Sequence, residues 1–552
     1  MNCDEIQYGP QRKLWRDTLS SIATSKDGKL LISPPSVDPL DLYDFKQEPI
    51  TNSMYQVPSA ALSEIQRTEA LVETKKVVED TLRDTMGYQC NCREFSHVEC
   101  VRSFQATRLN NHGSPFVASI YSCLTAHWME RNVLDYFASL WHAKWPHNLK
   151  DPESYWGYTL TMGSTEGNLY AVWNARNYLS GKYMSSIGEK SKCSLSNYSY
   201  TQCMCPNNNP NTLSPVAFYS HETHYSIMKA LEAMAVPSFY EIGTRMYPEQ
   251  CPLGTDWPLA VPCEGGDAGN GTIDIKALST FVDFFSAKGH PIIAIFNYGT
   301  TFKGAYDDVK SAGEVLIPIL KKNNMYERTL YLGNSTTCIT RKGFWFHVDG
   351  ALGAAYAPFL QMAYENDLTK FKPPPVFDFQ LDFVSSIVTS GHKWIGSPWP
   401  CGIYISKTEY QLRPPENASI TYIDSPDIAL SGSRNAHSVL LLWSYISTYN
   451  YEEQAKVAIT ALNIAVYSVQ KLKELELELK QNLGIIHSPS SMAVCFKRPH
   501  DERITRKYSL SGHWLHIEGE WHQYVHIYIT KGVTKTKIDE LVGDLRMPGA
   551  FS

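Results

Sequence analysis

The stretch FVSSIVTSGHKW, spanning Phe383–Trp394, decides how this chain is read. Phe383–Val388 is a short, largely apolar run bounded by small residues, the pattern of a strand buried on both faces in a parallel sheet. Ser390-Gly391-His392-Lys393 follows at once, so a lysine amine stands at a strand end, where open α/β sheets place their ligands. Most lysines are solvated surface groups; one in this position can reach a bound carbonyl.

The same grammar repeats on either side. Phe344–Val348 runs into Asp349-Gly350-Ala351, Ile292–Asn297 into Tyr298-Gly299-Thr300-Thr301, and Val216–Tyr219 into a segment containing His221 and His224. Tyr158–Thr161 runs into Met162-Gly163-Ser164-Thr165-Glu166-Gly167-Asn168. Helical stretches at 168–179, 224–234 and 275–285 alternate with these runs, which implies an α/β fold with a large, mostly parallel sheet covered by helices. Gly402–Ile405 reads as one more strand, and the short Ser397–Pro400 link before it predicts a hairpin and hence a mixed sheet.

Residues 1–60 include Pro34, Pro35, Pro39, Pro49 and Pro58 among polar residues without periodicity and read as an N-terminal arm, followed by a helical segment over 61–150. In that segment Ser59–Met86 is helical, with Leu62, Ile65, Leu71 and Val78 roughly on one face. The large domain covers 151–437, with polar surface inserts at 186–214 and 363–380. A small C-terminal α/β domain, 438–552, is expected to hold a long helical region Leu442–Leu479, strands at Ser491–Phe496 and Val525–Ile529, and a last helix over Thr536–Leu545.

Composition narrows the class. A net charge of -6 gives no reason to propose nucleic acid or an acidic membrane as partner, and no run of about 20 apolar residues is present. The chain start has no apolar leader pattern, so a cytoplasmic location is the expectation. The thirteen cysteines are odd in number and scattered; the pairs Cys90/Cys92 and Cys203/Cys205 lie one residue apart, poor spacing for zinc or a redox dithiol. They read as free thiols, with no metal site. Four Asn-x-Ser/Thr triplets, at Asn197, Asn270, Asn334 and Asn417, are read as chance.

Each strand end offers one element of pyridoxal 5′-phosphate (PLP) chemistry, which needs an amine, a carboxylate on the pyridine nitrogen, a phosphate cradle and a partner for the ring face. Lys393 is the amine and Asp349 the carboxylate, with small residues at Gly350 and Ala351 leaving room for a flat ring. Ser164 and Thr165 open a helix, where N–H groups and hydroxyls suit a phosphate dianion. An imidazole from His224, preferred over His221, can lie on the ring face, and Thr300 can present a hydroxyl to a ring substituent. Taken singly, a helix cap at Asp349 or Ser164 and a core histidine at 224 are ordinary alternatives.

With these segments assembled, the chain resembles the group II PLP-dependent decarboxylases, which are fold-type I enzymes (aspartate aminotransferase-like, with a seven-stranded sheet) acting on histidine, glutamate and aromatic amino acids. The motifs at 163–168, 223–226, 299–301, 347–351, 390–393 and Gly432-Ser433-Arg434-Asn435 stand in the family's order, from about residue 80 onward. Within the family, Asp151–Tyr158 and Ser397–Tyr404 look closest to methionine and valine decarboxylases. The resemblance implies that Lys393 bonds the cofactor, Asp349 pairs with the pyridinium, His224 stacks, and Ser164, Thr165, Ser390 and His392 face the phosphate. It further implies a catalytic tyrosine, Tyr422, on the loop Lys407–Ser433; substrate contacts from Tyr88 and Gln89; and a homodimer with the site at its interface. The activity implied is decarboxylation of a neutral aliphatic amino acid (methionine, leucine or valine), with histidine or aromatic substrates as the alternative. Another fold-type I enzyme, or a silent PLP-fold protein, is the remaining rival. The chain departs from the family in its Cys/Asn-rich 186–214 segment and in Ala436, where relatives often carry glycine.

Overall fold

The computed structural model describes residues 61–91, 101–120, 122–186, 195–204, 209–254, 256–332, 337–412, 414–415 and 419–551. The expected arm over residues 1–60 lies outside them. The chain divides into two compact units, Met1–Thr85 and Met86–Ser552, a boundary that falls within the 61–150 segment of the sequence reading. In the first unit, helix α1 (Glu64–Asp84) starts at a capping box in which Ser63 and Gln66 satisfy each other's backbone N–H. Ile65, Leu71 and Val78, expected roughly on one face, are exposed.

The second unit is organised by one mixed sheet of six strands: β1 (Tyr155–Leu160), β2 (Val216–Phe218), β3 (Ile292–Asn297), β4 (Phe344–Asp349), β5 (Val384–Ser390) and β6 (Gly402–Lys407). Their spatial order is β1-β6-β5-β4-β3-β2. The pairs β2/β3, β3/β4 and β4/β5 are parallel, while β5/β6 and β6/β1 are antiparallel. The expected seven-stranded sheet is realised as these six strands plus a single parallel bridge between Ala217 and Ser238 at the edge. Every residue of the six strands is buried, which is why their sequences are runs and not alternations.

Helix α2 (His127–Leu140) packs near β1 and β6, and α3 (Ser164–Leu179) lies against the strands that carry the site. The approach of α3 is close enough to demand glycine: a Cβ on Gly167 would sit 2.2 Å from Cγ2 of Val388 on β5. Helix α4 (Tyr225–Ala233) follows β2. The main apolar core runs through the sheet with Phe296, Phe346, Val348 and Ile387 at its centre, and truncating one of its phenylalanines would cost about 3–5 kcal/mol.

Two local expectations are corrected. The single helical region Leu442–Leu479 is two helices, α5 (Ala436–Thr448) and α6 (Tyr451–Leu479), separated where Asn450 caps the second with Glu453. The C-terminal sheet has three antiparallel strands, β7 (Ala493–Lys497), β8 (Ser511–Ile517) and β9 (Glu520–Tyr528); β8 was not anticipated, since its exposed residues break the apolar signal. The polar insert at 186–214 contributes a strand, Tyr198–Met204, to a peripheral antiparallel sheet. The final helix spans Lys535–Arg546.

Candidate active site

The strands β2, β3, β4 and β5 end on one side of the sheet, and a narrow cleft opens there. It is lined by Glu222, His224, Asn297, Gly299, Thr300, Thr301, Asp349, Ala351, Leu352 and Lys393. The sheet register explains the convergence. Asn297 on β3 stands beside Asp349 on β4, and Asp349 stands beside Val388 on β5, two residues before the hairpin that carries Lys393.

That hairpin is pinned at its neck, where the Gly391 N–H donates to Cys401 O and Ser390 pairs with Gly402. From outside the sheet, the Asn91 N–H donates to Lys393 O at 3.0 Å and its Nδ2 donates to Trp394 O at 2.9 Å. The lysine is thus fixed at its backbone and free at its amine. Burial lowers its pKa against the opposing attraction of Asp349 and the Cys90 thiol, which favours the neutral, nucleophilic amine.

Asp349 is 5% exposed and accepts from Asn168 Nδ2 at 2.8 Å and from the Ala351 N–H at 3.2 Å. Charge-assisted bonds of this kind contribute about 1.5–3 kcal/mol each and hold the carboxylate in one orientation. His224 caps α4: its Nδ1 accepts the Ser226 N–H at 3.3 Å and faces Ser226 Oγ at 2.8 Å. Burial, reinforced by Lys393 and Lys229, lowers the pKa of His224 in spite of Asp349, so the ring is neutral near pH 7. His221 is not among the groups that line the cleft.

Beside Lys393 lies a polar cradle. The Ser164 N–H donates to Ser390 Oγ at 3.1 Å, and Ser390 Oγ donates to Ser164 Oγ at 2.8 Å. Thr165 occupies the next position in the first turn of α3, where its N–H has no intrahelical acceptor. Gly163 has φ +69°, and a Cβ there would lie 2.5 Å from Cε1 of His392. A side chain at Gly163 would close the cradle against that imidazole. Thr300 is 2% exposed; its Oγ1 accepts the Ala305 N–H at 3.0 Å, which leaves the hydroxyl proton to donate.

Other expected residues stand further off. Gln89 donates from Nε2 to Thr301 O at 3.0 Å, at the margin of the cleft. Tyr88 is 55% exposed and bonds the Cys90 thiol. Tyr422 is 62% exposed on a turn closed by the Ile420/Ser425 bridge, and within this chain it is not among the lining groups. Several groups that hold the site had no role in the sequence reading: Asn168, Ser226, His347, Asn91, and the ion pair of Glu222 with the buried Lys303 at 3.0 Å. Asn168 and His347 sit inside motifs noted above, but no linear pattern shows that they meet.

The cleft gathers the Lys393 amine, the Asp349 carboxylate and the His224 imidazole, and the paired hydroxyls of Ser164 and Ser390 stand on the start of α3 and on the strand that leads to Lys393. Those donors fit PLP, and the fold and site define a fold-type I PLP-dependent enzyme. A family model described as the pyridoxal-dependent decarboxylase conserved domain matches residues 261–498. L-Methionine decarboxylase from Streptomyces sp. 590, solved as a complex with L-methionine methyl ester, is 38% identical with a TM-score of 0.83, covering 91% of this chain and 99% of that one. The histidine decarboxylase of Vibrio campbellii is 30% identical over 427 residues, 77% of this chain and 82% of that protein. Serine decarboxylase 1 of Oryza sativa subsp. japonica is 27% identical over 471 residues, 85% and 73% respectively. The chain belongs to the group II PLP-dependent decarboxylases and is a PLP-dependent carboxy-lyase acting on an amino acid.

Proposed function

We propose that the chain decarboxylates a neutral aliphatic L-amino acid, methionine, leucine or valine, to the primary amine and CO₂. The observation that carries this reading is the commitment of the acidic groups on the cleft wall. Glu222 is paired with Lys303, and Asp349 is held by Asn168, so neither is free to balance a cationic substrate side chain. Similarity to the Streptomyces methionine decarboxylase supports the same choice. Histidine is the second reading, favoured by the similarity to the Vibrio enzyme. Incubating the holoenzyme with each of the twenty amino acids and detecting amines by mass spectrometry tests it; histamine as the dominant product would overturn it.

The residues divide the work. Lys393, whose charged form burial disfavours, would hold the cofactor through its amine. Asp349 would hold a proton at the pyridine nitrogen, His224 would cover one ring face, and Ser164, Thr165, Ser390 and His392 would orient the phosphate. Thr300, whose Oγ1 accepts from the Ala305 N–H, would donate its hydroxyl proton to the ring oxygen. Bound PLP supplies the sink for the electron pair left when the bond from Cα to the carboxylate breaks. Gln89, with Tyr88 outside it, contacts the substrate. Tyr422 then delivers a proton to Cα, which requires its turn to close over a cleft, either its own or that of a second copy in a cytoplasmic homodimer.

A further inference from the structure

The buried groups behind Asp349 and His224 form one hydrogen-bonded chain whose proton directions can be read from its two ends. At one end Asp349 is a pure acceptor, so the Asn168 atom 2.8 Å from its Oδ2 must be the amide nitrogen. The same nitrogen donates its second hydrogen to Ser226 Oγ at 2.9 Å. Asn168 Oδ1 therefore faces His347 Nε2 at 2.9 Å, and that ring nitrogen must carry a hydrogen. A buried neutral His347 then accepts at Nδ1 from Ser386 Oγ at 2.8 Å. Ser386 can donate there because its own acceptor position is filled by Trp345 Nε1–H at 3.0 Å.

At the other end, the Ser226 backbone N–H can only donate, so His224 Nδ1 is an acceptor and the ring proton of His224 sits on Nε2. Ser226 Oγ, already accepting from Asn168, directs its own proton to the same Nδ1. The two ends give the same directions at every link. Asn168 is 1% exposed, and Ser226, His347, Ser386 and Trp345 are fully buried, so the chain is shielded from bulk solvent.

We propose that Asn168 is a positioning residue for the decarboxylation: one carboxamide fixes the Asp349 carboxylate for the pyridine nitrogen and, through Ser226, fixes His224 as the tautomer that presents Nε2–H. His347 and Ser386 serve as its backing, because they hold the amide so that its nitrogen, and not its oxygen, meets Asp349. This inference rests on the roles given above to Asp349 and His224.

The test is PLP affinity, measured by the visible absorbance that appears when apoenzyme is titrated with PLP at pH 8, together with kcat, KM and the melting temperature of the apoenzyme. Asn168→Ala is expected to weaken PLP binding at least about tenfold, the effect of a lost charge-assisted hydrogen bond. Asn168→Asp preserves the shape but sets a second carboxylate against Asp349, and is expected to bind PLP more weakly still. Asn168→Ser, which keeps one donor, is expected to recover part of the loss, and kcat is expected to fall further than KM rises in all three. Asn174→Ala, at an equally buried asparagine on the same helix (2% exposed), is expected to lower the melting temperature without moving PLP affinity. Should Asn168→Ala fail to fold, the order of wild type, Asn168→Ser and Asn168→Asp decides. Wild-type PLP affinity in Asn168→Asp would overturn the inference, as would equal losses in Asn168→Asp and Asn174→Ala. A wild-type chain that takes up no PLP would instead overturn the assignment of Lys393 and Asp349.

Discussion

The strand ends that carry Asp349, His224 and Lys393 and the turn that carries Tyr422 belong to the same compact unit, yet they are held in opposite ways. At the strand ends, hydrogen bonds from Asn168, Ser226, Ala351 and Asn91 fix the functional groups or their backbone. On the turn, Thr421 is tied by its backbone N–H to Leu195 O while Tyr422 points outward, 62% exposed. The difference separates two tasks. Holding a charged aromatic cofactor rewards groups that are rigid before binding, since reorganisation would cost free energy on every encounter. Delivering one proton late in the reaction requires a group that arrives after the substrate has entered.

The sharpest way to break this comparison is at the rigid wall. Lys393→Ala removes the covalent tether and the amine that passes the cofactor on, and is expected to cost more than about 10⁴-fold in kcat/KM together with the visible absorbance of lysine-bound PLP. A yellow, active variant would defeat the assignment. Asp349→Ala comes next. It leaves Asn168 Nδ2 without its anionic acceptor and the pyridine nitrogen without a counter-charge, for an expected loss of about 10³-fold in kcat and weakened retention of PLP on dialysis. Activity and cofactor content near wild type would sink the pairing.

Tyr422→Phe addresses the exposed turn. Loss of a general acid costs about 10²–10⁴-fold, and here the product ratio adds a second readout. Without a proton delivered to Cα, protonation shifts to the cofactor carbon, so aldehyde should rise relative to amine in gas or liquid chromatography. Unchanged rate and products would remove Tyr422 from the mechanism and leave the exposed turn as surface structure.

Legibility in the sequence follows the same division. The strand-end residues could be named because each follows an apolar run directly, and local periodicity is the signal that survives in a single chain. Asn168 and His347 were visible as letters in motifs, but their meeting depends on the packing of α3 against β4, which no local pattern encodes. The split between α5 and α6 at Asn450 was missed because both helices are apolar enough to read as one. Strand β8 was missed for the reverse reason: its sequence, SGHWLHI, is mostly exposed and pairs only with β9. The exposed face of α1 shows a further limit, since helical periodicity predicts which residues align and not what covers them.

The smallest expected effect probes the seam between the two walls. Gln89 donates from Nε2 to Thr301 O at 3.0 Å and lies 3.4 Å from His526 Nε2, a ring whose Nδ1 faces Phe302 O at 2.8 Å. Nε2 is committed to Thr301 O, and the amide oxygen of Gln89, which has no hydrogen bond among the described residues, is the group proposed to meet substrate. A single neutral hydrogen bond contributes about 0.5–1.5 kcal/mol, so Gln89→Ala should raise KM by roughly 3- to 10-fold with kcat nearly unchanged. If kcat falls instead while KM holds, the segment Gln89–Asn91 is acting through its clamp on Lys393 O, and the substrate contact must be sought elsewhere along Thr301.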